Sequence, residues 1–229
     1  MLGRVIRDIG RKLDGLDAAV QQTLQTWLGR AERIWRQRPK DKQKLYALHA
    51  LEAECIGKGK ARRLYEFGVK AGIAVTGTKG LIAGARSFPG NPYDGDTLAE
   101  QLEQARTLMQ DTRAVPTMAI VDLGYRAREV AGVQILHRGK AKSLTRRQWS
   151  WIKRRQAVES VIGHLKQGHR LDRYWLKGAQ GDARNALGAA AGYNLRWLMR
   201  FIAFLRGWFQ AALSSSVPSP VTPSTTCAC

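Results

Sequence analysis

The sequence predicts an α/β fold: a mixed five-stranded sheet with flanking helices, and further helices at the N-terminal and C-terminal ends. Three observations support this prediction. Residues 45–88 contain three short strand-like runs separated by basic or Gly-containing gaps. An apolar run that ends in an acid, "TMAIVDLGY", follows a helical stretch, and a later helical stretch carries a lone acid, Glu159. Short strands combined with amphipathic helices are typical of a sheet covered by helices.

The first 39 residues predict a helical arm. Apolar residues recur there in steps of three and four between Leu16 and Trp35, and Pro39 ends the pattern. Residues 40–212 are expected to form the α/β domain with its C-terminal helix. The Ser/Pro/Thr-rich segment 213–229 is expected to be a disordered tail.

The first three strands are expected to form an antiparallel meander. They are "LYALHALEAECI", "YEFGVKAGIAV" and "GLIAGARSF", with "GKGKARR" and "TGTKG" as the turns. The first strand carries Glu52 and Glu54, whose side chains project to the same face because strand side chains alternate. A helix, "DTLAEQLEQARTLMQ", then follows with Leu98, Leu102 and Leu108 on its inner side.

The second half of the chain predicts two more strands and the helix that carries Glu159. "TMAIVDLGY" has the pattern of a buried parallel strand that presents Asp122 at its carboxyl end, and "GVQILH" is the fifth strand. Thr145 and Gln148 form a capping box at the start of the helix. Glu159 is expected at the edge of the buried face, and the side chains sharing one face are those of Ile152, Arg155, Glu159, Ile162 and Lys166.

The charge of the chain favours a polyanionic partner. Lys and Arg number 38 against 18 Asp and Glu, a net charge of +20. The segment from Arg138 to Arg155 contains eight basic residues and no acid, with two tryptophans interleaved. The candidate DNA contacts are Arg146, Arg147, Lys153, Arg154, Arg155 and Lys166.

Other classes of protein receive little support. The N-terminus is too charged for a secretory signal, and three arginines interrupt the most apolar region, residues 193–213. The three cysteines form neither a zinc pattern nor a disulfide framework, so a reducing cytoplasm is expected. His164 and His169 lack metal-ligand partners at useful spacing and are interpreted as DNA-facing or structural.

The order of elements is that of the ribonuclease-H-like fold, in which two central strands and one helix supply carboxylates for a pair of divalent metals. At this point the sequence resembles a known family. "YEFGVKAGIAV", "GARSFPGNPYDGDTLAEQLEQ", "VDLGY" and the stretch from Arg154 to Phe201 closely resemble the catalytic half of DDE transposases of bacterial insertion sequences, in the insertion-sequence-four and insertion-sequence-five clade, and the similarity runs from about Lys40 to about Arg206. Arg155, Glu159 and Lys166 match three positions of the clade's Tyr-x2-Arg-x3-Glu-x6-Lys signature, and Ile152 stands at the Tyr position.

The resemblance implies a catalytic and metal-binding set of Asp122, Glu159 and a first-strand acid, which is Glu54 with Glu52 as the alternative. It implies two Mg²⁺ or Mn²⁺ ions, hydrolysis at transposon ends, and strand transfer into target DNA. The expected partner is double-stranded DNA, with a homodimer as the candidate assembly and no membrane. The expected location is the bacterial cytoplasm, in association with the nucleoid.

Several alternatives stay open from the sequence. Glu66 is a third candidate for the first acid, and Asp94 is either a turn or cap residue or a neighbour of the site. Asp122 could instead cap a turn, and Glu159 could pair with Arg155. Family members carry a further helical region before the matched part, so the chain is expected to be shortened and could be an inactive remnant. A non-catalytic DNA-binding protein and a membrane-surface protein are the rival classes.

Overall fold

The computed structural model of the protein describes residues 1–60, 63–112, 114–126 and 128–215. Its helices are α1 (Leu2–Gly10), α2 (Ala18–Arg36), α3 (Leu98–Leu108), α4 (Arg146–Arg154), α5 (Ala157–His169) and α6 (Gly178–Ser215). Its strands are β1 (Glu54–Lys60), β2 (Arg63–Gly68), β3 (Lys70–Val75), β4 (Ile82–Phe88), β5 (Met118–Ile120) and β6 (Gln134–Leu136). Short 3₁₀ turns span Asp94–Thr97, Gln110–Thr112, Leu123–Tyr125 and Arg138–Ser143. Of the expected tail, 213–229, the first three residues belong to α6, and residues 216–229 lie outside the described residues.

Two helices form the N-terminal arm. Asp17 caps α2, since its Oδ2 accepts the N–H of Ala19 at 3.1 Å. The ring of Trp35 lies against α1 at Gly3, where an added Cβ would be 2.7 Å from Trp35 Cζ2. A glycine at this position therefore lets the two helices pack closely, and α2 ends at Arg36, shortly before Pro39.

The described residues form the predicted α/β fold of helices and small sheets, but their strands lie in three two-stranded sheets and not in one five-stranded sheet. β1–β2 and β3–β4 are antiparallel, and β5–β6 is parallel. The run predicted as one strand, "YEFGVKAGIAV", is divided because Gly68 has a φ of 148°, which side-chain-bearing residues rarely adopt. The predicted turn "GKGKARR" is also corrected, because its first four residues continue β1.

Helix side chains explain part of the missing strand pairing. Asn194 of α6 accepts the N–H of Ile82 through Oδ1 and donates Nδ2 to the Ile82 carbonyl, both at 2.9 Å. Gln104 of α3 donates Nε2 to the carbonyl of Ala85 at 3.0 Å. These backbone groups of β4 would otherwise need another partner, because buried amides and carbonyls are costly when unpaired. Side chains from α3 and α6 thus take bonds that a neighbouring strand could have made.

Two small hydrophobic cores hold these elements together. One joins β4, α5 and α6, and its buried residues are Ile82, Ala85, Val161, Leu165, Ala186, Ala189 and Ala190. The other packs Leu98 and Leu102 of α3 against Val133 and Ile135 beside the parallel sheet. Leu108, which was predicted to face inward, is instead 57% exposed at the end of α3. That helix ends at Leu108, where no core residue lies opposite it.

The helix predicted from Thr145 onward is two helices. The capping box is confirmed: Thr145 Oγ1 accepts the N–H of Gln148 at 3.3 Å, and Gln148 Oε1 accepts the N–H of Thr145 at 2.9 Å. Residues 155 and 156 form a turn between α4 and α5, where the N–H of Gln156 bonds to the Lys153 carbonyl three residues back. This tighter i to i+3 turning changes the angular spacing of side chains. The single face expected for residues 152–166 is therefore not continuous.

The last helix, α6, is the longest of those described. Its first half packs against β4 and α5, and beyond Leu195 most of its large apolar side chains are exposed. Three arginines divide its apolar sequence. Within the described ranges, no helix combines the length and apolar character needed to cross a membrane.

Candidate functional site

Asp122 lies two residues after β5, at the carboxyl end of the parallel pair. Its Oδ1 accepts the N–H of Leu123 at 2.9 Å and so caps the 3₁₀ turn Leu123–Tyr125. Its Oδ2 lies 3.2 Å from Nη2 of Arg155, in the turn between α4 and α5. The Asp122 side chain is 65% exposed, so this ion pair contributes less than about 1 kcal/mol. The carboxylate is therefore held in position by a contact that other partners can replace.

Asp94 is the acid that the structure brings to the same turn. An added Cβ at Gly124 would lie 3.2 Å from Asp94 Oδ2, so Asp94 reaches the turn that follows Asp122. Asp94 Oδ1 pairs with Lys70 Nζ at 2.9 Å, and that lysine also donates to the Pro92 carbonyl. Among the described residues its carboxylate accepts a hydrogen bond from Lys70 and none from the backbone of the 3₁₀ turn that it begins. The sequence left Asp94 open as a turn or cap residue or as a neighbour of the site, and the structure places it beside the turn that follows Asp122.

Tyr125 lies near these two acids, whose charges act on its phenol. The pKa of the Tyr125 phenol is raised, chiefly by burial. The hydrogen bond with Thr97 and the charge of Arg155 lower it, and the charges of Asp94 and Asp122 raise it. The hydroxyl is therefore neutral at physiological pH and can serve as a hydrogen-bond donor between the carboxylates. Sequence reasoning missed Lys70 and Tyr125; the Tyr in "VDLGY", three residues after the strand-end acid, was the available signal.

Glu159 lies in the first turn of α5 with its side chain exposed. Among the described residues it makes no ion pair or hydrogen bond, and Arg155 pairs with Asp122 instead. The Arg155–Glu159 pair considered from the sequence is therefore not formed. Val161 and Leu165 fill the buried face of α5, and the exposed side chain of Glu159 lies outside that face.

The two first-strand candidates have different surroundings. Glu54 begins β1 opposite Gly68 and lies near Tyr46, whose pKa is raised by burial and then by Cys55 and Glu54. Glu52 precedes the strand, and its Oε1 accepts the N–H of Gly178 at 2.8 Å, at the start of α6. A carboxylate is favoured at a helix N-terminus. Glu52 thus serves as a tether between the first strand region and α6.

Asp182 lies buried beside this tether. Burial, and then the negative charge of Glu52, raise the pKa of Asp182 to about 6. Its Oδ2 has no hydrogen-bond partner among the described atoms, and only 3% of the residue is exposed. Asp182 is therefore the member of this acid pair that binds a proton most readily.

We expect Asp182→Asn to change the dependence of stability on pH. Because the folded pKa is raised above the unfolded value of 3.8, the stabilising proton is fully present below about pH 4 and is lost as pH rises through about 6. The neutral amide of the variant has no proton to lose in this range. Between about pH 4 and about pH 8, the free energy of unfolding of the variant should therefore rise by up to about 3 kcal/mol relative to that of the wild type. Thermal unfolding of the variant and the wild type, at about pH 4 and at about pH 8, measures this difference in stability. Asp172→Asn, at an exposed position, is the control, and a parallel pH response of Asp182→Asn and wild type would contradict the assignment.

The comparisons with known proteins add the family. A family model of the transposase DDE domain matches residues 34–195, which is most of the chain. The chain belongs to this family. The match covers Asp122, Glu159 and both first-strand acids, and it ends within α6 at Leu195. Neither the curated proteins nor the solved structures that were compared match the chain.

DDE transposases generally use divalent metal ions, which prefer carboxylate oxygens. The described residues do not fit a metal pair in this conformation. No group of three metal-ligating side chains lies together in the part of the chain that is described. Asp122 Oδ2 is paired with Arg155 and Asp94 Oδ1 with Lys70, so a cationic side chain takes one oxygen of each carboxylate.

The candidate DNA contacts of this transposase domain lie on exposed surface. Arg146 and Arg147 begin α4, and Lys153 and Arg154 end it, with Arg154 placed over the Trp151 ring at 5.3 Å. Lys166 is exposed on α5. None of these five forms an ion pair with another described residue, in contrast to Arg155. They are therefore available to phosphate groups.

Proposed function

We propose that this chain is a DNA transposase of the insertion-sequence-four and insertion-sequence-five clade, which hydrolyses a phosphodiester at the insertion-sequence end and then transfers the strand to target DNA. One observation carries the proposal. In a chain of the DDE family, Asp122 follows the parallel strand and is bonded to Arg155, four residues before Glu159. The signature arginine is thus the link between the second carboxylate and the turn that leads to the third.

The proposed catalytic carboxylates are Asp122, Glu159 and Glu54, with Mg²⁺ or Mn²⁺ as the cofactor and two ions as the expected number. The bond from Glu52 to Gly178 supports Glu54 over Glu52, because Glu52 already serves α6. Arg155 has a positioning role in this proposal, since its guanidinium holds Asp122 Oδ2. Asp94, which the sequence left open as a neighbour of the site, and Tyr125, which the sequence did not identify, are added as neighbours of Asp122.

Double-stranded DNA is the proposed partner, in the bacterial cytoplasm and in association with the nucleoid. The net charge of +20 supports a polyanion. The unpaired cations at both ends of α4 support contact with the phosphate backbone, which supplies the sequence-independent part of the affinity. A homodimer remains the candidate assembly.

A non-catalytic DNA-binding protein is the second candidate, and it includes the inactive remnant. The observation in its favour is that the carboxylates are not gathered and that two acids of the site are bonded to Arg155 and Lys70. Such a protein would need the basic surface but no free carboxylates. The two candidates therefore differ in chemistry and share DNA binding.

Metal-dependent nicking separates the two. The substrate is a labelled duplex made from the DNA that flanks the gene, incubated with Mg²⁺, with Mn²⁺, or with a chelator. The transposase should bind the duplex in all three and nick it only with metal. Binding without nicking in either metal would overturn the catalytic proposal for this chain and leave the DNA-binding protein.

A further inference from the structure

A small pocket lies between the C-terminal half of α5 and the middle of α6, apart from the residues assigned to catalysis. Its volume is about 100 Å³. The lining side chains are His164, His169, Tyr193, Arg196, Trp197 and Arg200. Four of these six carry a positive charge or can acquire one, and none is an acid.

The charges of this pocket are not neutralised within the described protein. Lys70, Arg86, Arg128 and Arg155 each have a carboxylate partner. By contrast, neither arginine of the pocket nor either histidine forms an ion pair with a described residue. Like charges brought together on two packed helices repel each other, and a bound anion would remove that cost.

Two glycines allow the helices to hold these side chains. An added Cβ at Gly192 of α6 would lie 2.9 Å from His169 Nδ1, and one at Gly168 of α5 would lie 3.2 Å from Arg196 Nη1. Gly192 of α6 therefore lies opposite the His169 imidazole of α5, and Gly168 of α5 lies opposite the Arg196 guanidinium of α6. The His169 ring also meets the Tyr193 ring edge-on, with centroids 6.1 Å apart. The pocket thus has walls fixed by two helices.

The pKa of His169 reflects both the burial of the ring and the positive charge around it. Burial, then Arg196, then His164 lower the pKa of the His169 imidazole, so the ring is mainly neutral at physiological pH. Tyr193 and Arg200 complete the titratable or charged groups that face it in the pocket. An anion placed between Arg196 and His169 would favour the imidazolium and draw a proton onto the ring.

The chemistry of the lining indicates which anion fits. Arginine side chains bind phosphate through two parallel N–H···O bonds, and protonated histidine adds a further donor. Trp197 is stacked on Phe201 with centroids 5.6 Å apart, so a rigid aromatic wall closes one side. We propose that this pocket binds a phosphate group of the DNA backbone.

The location agrees with a role beside the proposed active site. His164 and His169 follow Glu159 on the same helix, five and ten residues later, which is about 7 Å and about 15 Å along the axis. The two histidines of the pocket are therefore between about one and about three helical turns from Glu159 along α5. Phosphates of one strand recur at about 3.4 Å along a duplex axis. The inference rests on DNA being the substrate, as proposed above, but it does not require that the chain is catalytic.

The test measures the affinity of the full chain for a fluorescein-labelled duplex by anisotropy, at fixed salt, at about pH 8 and about pH 6. Wild-type affinity should rise by roughly tenfold as pH falls, because His169 gains a proton on binding. His169→Gln should abolish most of this pH dependence. Arg196→Gln should weaken binding by about tenfold at both pH values, and Arg196→Lys by less, since lysine keeps the charge without the planar fork.

The comparison variant is Arg146→Gln, outside the pocket, which should weaken binding while leaving the pH dependence as in the wild type. His164→Gln is measured alongside, and thermal unfolding verifies that each variant is folded. Wild-type affinity and pH dependence in folded His169→Gln and Arg196→Gln would overturn the proposal. Inorganic phosphate alone is titrated while the His169 ring resonance is followed by NMR. A shift of the resonance without any effect of the variants on DNA affinity would assign the pocket to a small phosphate and likewise overturn it.

Nicking is recorded separately with the same variants. If the wild type does not nick DNA, the proposed catalysis is contradicted. The pocket assignment still stands in that case, provided that the variants change the DNA affinity as expected. Unchanged affinity in the variants would contradict the pocket assignment even if the wild type nicks DNA. The failures of the two proposals are thus distinguishable.

Discussion

Replacing Glu159 by glutamine is expected to abolish metal-dependent nicking while leaving the fold and DNA binding intact. Glutamine keeps the shape of the side chain but lacks the negative charge that a hard divalent cation requires. The expected loss is at least about a thousandfold, equivalent to about 4 kcal/mol of transition-state stabilisation. The measurement is the nicking rate on the end duplex under the metal conditions in which the wild type is active.

The structural cost of this substitution should be small. The side chain of Glu159 is exposed and makes no hydrogen bond or ion pair with the described residues, so its structural contribution is its place in the first turn of α5. A carboxylate there contributes about 0.3 to 1 kcal/mol through the helix dipole. Thermal unfolding and duplex affinity should therefore stay close to the wild type, and affinity should rise slightly because a negative charge is removed.

Glu103→Gln is the matched control for Glu159→Gln. Glu103 is also an exposed glutamate on a helix, α3, and its side chain forms no described ion pair. This variant should nick DNA at the wild-type rate. Equal nicking by Glu159→Gln and the wild type would show that Glu159 has no catalytic role, and a loss of nicking accompanied by unfolding would assign it a structural one.

The parts of the site that were predictable from sequence depend on local interactions. The Thr145 capping box joins residues three apart, and Asp122 follows directly from the end of a short apolar strand. Both arrangements are determined within a few residues by hydrogen bonds that any helix or turn start requires. Local sequence therefore determined the direction in which Asp122 is presented.

The parts that were not predictable depend on residues far apart in the chain. Asn194 bonds to Ile82 across 112 residues, and Gly178 bonds to Glu52 across 126. Neither contact leaves a periodic pattern in the sequence, yet the first takes backbone bonds of β4 and the second gives Glu52 a structural partner. A distant contact also explains why Arg155 pairs with Asp122 and not with Glu159. The turn between α4 and α5, which contains Arg155, lies at the end of β5.

Leu165→Ala is expected to destabilise the protein by about 3 to 5 kcal/mol. Leu165 is 1% exposed and is the largest fully buried side chain among the described residues. It lies in the core that joins β4, α5 and α6, where its neighbours are mainly alanines that cannot move to fill the space. Removing a buried leucine costs both its transfer free energy and the cavity left behind. For a chain of this size, the melting temperature should fall by about 10 °C.

The consequences of Leu165→Ala should extend to both candidate sites, because α5 carries Glu159 at its start and His169 at its end. Leu195→Ala on α6 is the control: that side chain is 58% exposed, and alanine is at least as good a helix former, so the change should cost less than about 1 kcal/mol. Denaturant unfolding of both variants gives the free energies. If Leu165→Ala cost no more than Leu195→Ala, the packing of α5 against α6 and β4 would not be what positions Glu159, and the core described here would be wrong.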